Sequence, residues 1–552
     1  MKPPCLSRMI PACLLDVVAS FRARVASGHF TWRKLRIAVL VPFACALVAC
    51  GGSDDGDGMA DDGGDGGALP SRGDLLQDPP TLVRTITTAD LVANLDDPVY
   101  QALLLQAGSP LCDVAVHKIE YATVGGAGED TTASGALMVP TGGDARCHGP
   151  RPIVLYAHGT STDKAFDITH LDDSANAEGL YLAVFFAAQG YIVTAPNYAG
   201  YDTSSLPYHP YLVADQQSKE MIDSLTAARS ALPVATAPDT TDGGKLFVTG
   251  YSQGGYVAMA TQRAMEAAGT AVTASAPLSG PYALSAFLDA VFFGRVSGGA
   301  TVQGAFLFTA YQRSFGNVYS TPADLFSSQY AGTIEGLLPS AQTRSALYDQ
   351  GLLPRDAFFS LEPPATQYAA ITPATEPAPF APLYARGFAA TDYLVRNEYR
   401  LAYLQDAEAA PDGFWPATTT AEPPAAPALP LRQALKANDL RNWTPKAPTL
   451  LCGGHDDPTV FWLNTQAMDA YWASHAAGAP FTVLDVDAAS TGDSDPYGNL
   501  KQRFGQAKDL VATAAVAAGA TDGGFEAVLE AYHAGLVAPF CLEATRKFFD
   551  AR

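Results

Sequence analysis

Positive charge is what this sequence has least of. Its 552 residues include 34 Lys and Arg against 56 Asp and Glu, a formal net charge of −22. The first 49 residues hold seven Lys and Arg against one Asp, a net +6, so the rest of the chain sits at −28. Such a surface repels phosphate backbones, which excludes nucleic acid as a partner, because that binding rests on clustered Lys and Arg releasing counterions. Zinc-ligand spacing is missing too: there is no C-x-x-C and no H-x-x-x-H, so no metal site is expected. The apolar run Ile37 to Ala49, broken only by Pro42, is too short to span a membrane as a stable helix. Charged residues make up only 16% of the chain against 48% apolar, which argues against disorder over most of its length. The length permits a large buried core and one sizeable insertion.

What is present begins with an export signature. Arg33, Lys34 and Arg36 precede the apolar run, the charge-then-apolar layout of a secretion signal. The stretch before Arg33 is long for such a signal, which points to a translation start downstream of Met1. The run ends in Leu47-Val48-Ala49-Cys50-Gly51, which resembles the bacterial lipobox; that resemblance implies lipidation of Cys50 and a membrane anchor at the mature N-terminus. Gly51 to Gly67 is almost entirely Gly, Asp and Ser, and Pro70 and Pro79-Pro80 follow, the composition of a flexible charged tether. Asp54 to Asp62 has a partial calcium-loop pattern but lacks the closing Glu and is a single copy.

Beyond Cys50 only Cys112, Cys147, Cys452 and Cys541 remain, an even number in a chain bound for an oxidising compartment. Three pairings are possible. Cys112 with Cys147 and Cys452 with Cys541 are favoured, since each pair brackets elements expected to be neighbours; buried free thiols are the alternative.

Asp113 to Tyr121 and Gly135 to Pro140 alternate apolar and polar residues and read as antiparallel strands of an opening hairpin. Pro152 to Ala157, Tyr191 to Ala195 and Lys245 to Thr249 are continuous apolar runs, as suits strands buried on both faces of a parallel sheet. Ala214 to Leu232 has helical spacing between the last two. Ala271 to Ser275 and Pro448 to Cys452 are the next expected strands, separated by far more chain than one crossover needs. The fold class is therefore α/β: a mostly parallel, doubly wound sheet with a large cap or lid insertion. Its expected divisions are 1–50 signal with lipobox, 51–80 tether, 81–284 first part of the core, 285–431 insertion rich in aromatics and Pro, and 432–552 second part of the core.

The chemistry centres on Gly250-Tyr251-Ser252-Gln253-Gly254, a G-x-S-x-G with a strand before it and a helix after. Glycines two residues to either side of the serine are needed where the turn crowds its neighbours. The turn lifts Ser252 Oγ above the sheet as a nucleophile and aims the Gln253 N–H at the same spot. A serine hydroxyl needs a base to take its proton and an acid to orient that base. In folds built around such an elbow these follow in the order Ser, Asp, His. Only His455, His475 and His533 lie downstream. His455 abuts the acid candidate, and His475 lies in the expected helix Leu463 to Ala476, before the strand Phe481 to Val486. His533 follows that strand at the opening of the expected last helix, Gly535 to Phe549, and is the candidate base. For the acid, Gly453-Gly454-His455-Asp456-Asp457-Pro458 offers two carboxylates after a buried strand; Asp457 is favoured and Asp456 is the alternative. The second oxyanion donor is expected from His158-Gly159-Thr160-Ser161, with Thr160 chosen, Gly159 as alternative, and His158 as a brace.

From about Cys112 onward the chain resembles the α/β-hydrolase superfamily and, within it, the secretory lipases similar to Candida antarctica lipase A. The likeness rests on Gly250 to Gly255, on Asn197-Tyr198-Ala199-Gly200 with His209-Pro210-Tyr211-Leu212 downstream, and on the long insertion before the acid loop. Asn197 stands where an Asp would be expected. The resemblance implies carboxylic ester substrates, small-molecule or lipid, and no cofactor. An aromatic-rich cap points to an apolar or aryl group on the ester. A serine peptidase or amidase using the same triad, and a non-catalytic surface protein, are the alternatives.

Overall fold

The computed structural model describes residues 70–93, 104–171, 177–235, 239–476 and 478–552. Cys50, its lipobox and the Gly/Asp-rich segment 51–67 lie outside the described residues. Among the described residues nine strands form one sheet; numbered in chain order, they lie side by side as β1-β2-β3-β5-β4-β6-β7-β10-β11. Its antiparallel edge is β1 (Thr81–Ile86), β2 (Asp113–Val124) and β3 (Asp130–Thr141). β3 meets β5 (Ile192–Pro196) antiparallel, and from there β4 (Gly149–Ala157), β6 (Thr240–Tyr251), β7 (Ala274–Leu278), β10 (Thr449–Gly453) and β11 (Phe481–Asp485) run parallel. The residues of β5, β7 and β10 are buried throughout, as continuous apolar runs require when helices cover both faces.

Most elements fall where the sequence places them; β1 and the helix Ala177–Phe185 are unforeseen, and there are three further differences. β7 starts three residues later than expected. The helix Gln253–Ala267 closes with Gly269 at φ 75° and a Thr270 N–H bonded to the Met265 carbonyl, and the chain needs those residues to turn back to the sheet. A helix at Gly498–Ala517, unforeseen, follows β11. The final helical run starts at Phe525, ten residues before the expected Gly535, and contains a π-helical turn at Tyr532–Val537. Phe525–Asp550 has the length and apolarity of a membrane span, yet it packs on the sheet, with Phe549 stacked on Phe247 at 4.4 Å.

Between β7 and β10 the chain forms a mainly helical insertion, with helices at Leu284–Phe292, Ala300–Phe315, Asn397–Ala409 and Pro430–Asn438. Among the described residues its one sheet is the two-residue ladder of β8 (Phe359–Ser360) and β9 (Phe388–Ala389). Buried ion pairs tie it together: Arg432 to Asp289 and Asp406, and Arg441 to Asp412 and Asp439. These charges need one another, because a lone charge at such depth is strongly destabilising. The disulfides are Cys112–Cys147 and Cys452–Cys541. The second joins β10, which leads into the acid loop, to the helix after His533.

Candidate active site

β6 runs out at Tyr251 and the next helix begins at Gln253, leaving Ser252 alone in the turn at φ 61°, ψ −122°. A non-glycine residue costs about 1–3 kcal/mol to hold in such a region, and the surroundings enforce it here. A Cβ on Gly250 or Gly254 would collide with the Ala157 carbonyl oxygen, so both positions must be glycine for strand and helix to meet. The Ser252 N–H is fixed to the Leu278 carbonyl of β7 at 3.0 Å.

The structure brings three of the candidate residues together. His533 Nε2 lies 2.9 Å from Ser252 Oγ, and His533 Nδ1 lies 2.6 Å from Asp457 Oδ2. The other oxygen of Asp457 accepts the Thr459 and Val460 N–H groups at 2.9 and 3.0 Å, so the carboxylate is buried but fully engaged. His533 sits in the π turn, where one extra residue per turn re-aims the side chain. Tyr251 donates its hydroxyl to the His533 carbonyl and tilts its ring over the imidazole at 5.0 Å.

The other candidates lie elsewhere. His475 ends its helix bound to the Tyr471 carbonyl and to Glu422. His455 pairs with Asp485 at 2.8 Å, and Asp456 faces His455 and Lys508. His455, Asp456 and Asp487 offer ligand atoms within 4.8 Å of one another, but Lys508 Nζ stands 2.5 Å from Asp487 and supplies the positive charge there.

Gln253 opens its helix, so its backbone N–H has no intrahelical partner. Its side-chain amide donates to His209 Nε2 at 2.7 Å, and His209 Nδ1 in turn donates to the Ala199 carbonyl. Burial pushes His209 down to about 3, which keeps it the neutral acceptor Gln253 needs. On the facing loop Thr160 Oγ1 meets Tyr211 OH at 3.0 Å, and the Gly159 N–H is taken by Glu178 at 2.9 Å. His158 is buried between the rings of Phe166 and Tyr198, at 4.2 and 4.1 Å, with its pKa lowered to about 4 by burial. It braces the loop. Asn197 is a buried junction: its amide donates to Ser134 Oγ and its oxygen accepts the Ile168 N–H.

Above Ser252 and Gln253 opens a pocket of about 40 Å³, walled by Leu284, Leu288 and Leu307 of the insertion and ended by Phe358. A Cβ on Gly304 would strike the Phe358 ring, so the glycine admits that ring. Neither Glu178 nor Tyr251 stood out in the sequence. Tyr251 occupies a variable place in the elbow, and Glu178 belongs to no motif.

Residues 181–292 match the model of the prolyl oligopeptidase family. No curated protein matches the chain. Among solved structures it is similar to the rice cell wall degrading esterase LipA from Xanthomonas oryzae, at 28% identity over 79% of this chain and 96% of that one, with a TM-score of 0.58. It is also similar to a putative hydrolase from Legionella pneumophila, at 18% identity over 86% and 97%, TM-score 0.57. Candida antarctica lipase A in its closed state aligns at 12% identity over 75% and 76%, TM-score 0.40. The chain has the α/β-hydrolase fold, and its structure is similar to that of an esterase.

Proposed function

We propose that this hydrolase cleaves carboxylic esters through an acyl-enzyme on Ser252, with His533 as base and Asp457 as the acid that orients it. The observation that carries this reading is the unbroken chain Asp457–His533–Ser252 at 2.6 and 2.9 Å, on a strained turn that points Oγ into an apolar pocket. Ser252 Oγ attacks the ester carbonyl as its proton passes to His533 Nε2. Asp457 keeps the Nδ1–H tautomer and stabilises the imidazolium. The oxyanion is held by the N–H groups of Gln253 and Thr160, a choice over Gly159 supported by the bond between the Gly159 N–H and Glu178. His533 then protonates the leaving alcohol, and water attacking the acyl-enzyme by the same route in reverse releases the acid.

Likeness to an esterase supports ester over amide substrates. The apolar lining of the pocket suits an apolar group on the ester. The prolyl oligopeptidase match favours a second reading, peptide or amide cleavage by the same triad. Turnover of p-nitrophenyl acetate against an aminoacyl p-nitroanilide separates the two: faster ester cleavage is expected, and faster anilide cleavage would replace the esterase reading. We further propose an exported, lipid-anchored enzyme, on the strength of the lipobox at Cys50 and two disulfides. Cys50→Ser is expected to release it from membranes; undiminished membrane association would remove the anchor from the account.

A further inference from the structure

Glu178, on the helix Ala177–Phe185, takes no part in the reaction as written above. Its carboxylate accepts the Gly159 N–H at 2.9 and 3.2 Å and the Tyr156 hydroxyl at 2.6 Å. A carbon built on Gly159 would stand 3.0 Å from Glu178 Oε1 and 3.7 Å from Ser252 Cβ, so this carboxylate and the nucleophile flank the same glycine. Among the described residues no Lys or Arg forms an ion pair with it, and the basic side chain whose protonated form would pull its pKa down is His533. The other titratable groups facing it are Tyr156 from β4, Tyr181 from its own helix, Tyr198 from the loop after β5 and Tyr251 from the elbow. All four are phenols whose ionisation burial pushes up, so they stay neutral. Burial lifts the Glu178 carboxyl itself to about 7, against the pull of its two donors.

Resting on the reading of Ser252, His533 and Asp457 as the triad, we propose that Glu178 is a positioning residue for both halves of it. It pins Gly159 so that the Thr160 N–H faces the oxyanion, and its negative charge stabilises the imidazolium that His533 becomes as Ser252 attacks. A carboxylate with no cationic side chain beside it is costly to keep ionised, and a fold that needed only a loop anchor could use a neutral amide acceptor. The same charge repels the oxyanion, so the sign of the net effect is itself a test.

The experiment is kcat and KM for p-nitrophenyl acetate from pH 5 to 9 in the wild type, Glu178→Gln, Glu178→Ala and Tyr156→Phe. Glu178→Gln keeps an acceptor for Gly159 and loses the charge. Its kcat is expected to fall about tenfold with KM within about twofold. The acid limb of its kcat/KM profile should move to lower pH, since the ionisation of Glu178, lifted by burial to about 7, no longer contributes to it. Glu178→Ala loses anchor and charge together, and kcat should fall about 100-fold. Tyr156→Phe keeps the carboxyl but removes a donor to its ionised form, so Glu178 ionises at higher pH and the limb that its ionisation sets moves up. A Glu178→Gln enzyme as fast as wild type or faster, or with an unmoved acid limb, overturns the proposal. Should Glu178→Gln not fold, an unmoved acid limb in Tyr156→Phe overturns it equally. A Ser252→Ala protein that still turns over the ester would instead remove the triad reading on which this rests.

Discussion

Ser252 holds a backbone conformation that few side chains adopt, and two flanking glycines exist so that strand and helix can enforce it. The consequence is a hydroxyl whose position is fixed before substrate arrives, with His533 Nε2 already in line at 2.9 Å. In such a triad the base carries the proton out and back, so removing it disables both half-reactions. His533→Ala is expected to cut kcat by roughly four to six powers of ten while the circular-dichroism spectrum stays native. Activity near wild type in that variant would hand the role to another histidine. The elbow was legible because it rests on local sequence around a turn, and chain order singled out His533 and Asp457, which the structure places in line with Ser252. Glu178 and Tyr251 were not, because each reaches His533 or its neighbours only through the folded arrangement of separate elements.

At the scale of elements, the site is assembled from the ends of β4, β6 and β10 and the π turn that holds His533, and one covalent link bears directly on it. Cys452 closes β10 just before the acid loop, and Cys541 lies eight residues beyond His533, so their disulfide ties acid strand to base helix across a separation of 89 residues. Joining so long a loop is worth about 2–4 kcal/mol. Replacing both cysteines by Ala is expected to lower the unfolding free energy by that amount, read from urea denaturation. An unchanged denaturation midpoint would show that packing of Phe549 on Phe247 and its neighbours suffices. The strands were legible because runs such as Pro152 to Ala157 are apolar without a break. The π turn at His533 was not, since nothing in Tyr532-His533-Ala534-Gly535 distinguishes it from an ordinary helix start. The insertion was legible only as a stretch longer than a crossover needs: its internal order depends on pairs such as Arg432 with Asp289, which are 143 residues apart.

For the whole molecule, buried carboxyls set how stability responds to pH. Glu220 lies buried on the helix Ala214–Ala235, bonded to Gln216 at 2.9 Å, and burial lifts its carboxyl to about 8; Glu178 is lifted to about 7. A carboxyl with a raised pKa holds its proton more tightly in the folded chain than in the unfolded one. The stability this confers is complete below about 4.5 and is lost as pH rises through 7 and 8. Melting temperature should therefore decline between pH 6 and pH 9, and Glu220→Gln should flatten that decline. A wild-type melting temperature that rose over the interval would contradict the assignment.

The central claim is that Ser252 is the nucleophile of a working triad, and a fluorophosphonate probe tests it most directly, since it phosphonylates only an activated serine. The account predicts stoichiometric labelling of the wild type at Ser252 and none of Ser252→Ala. An unlabelled wild type, or a labelled Ser252→Ala, would contradict it.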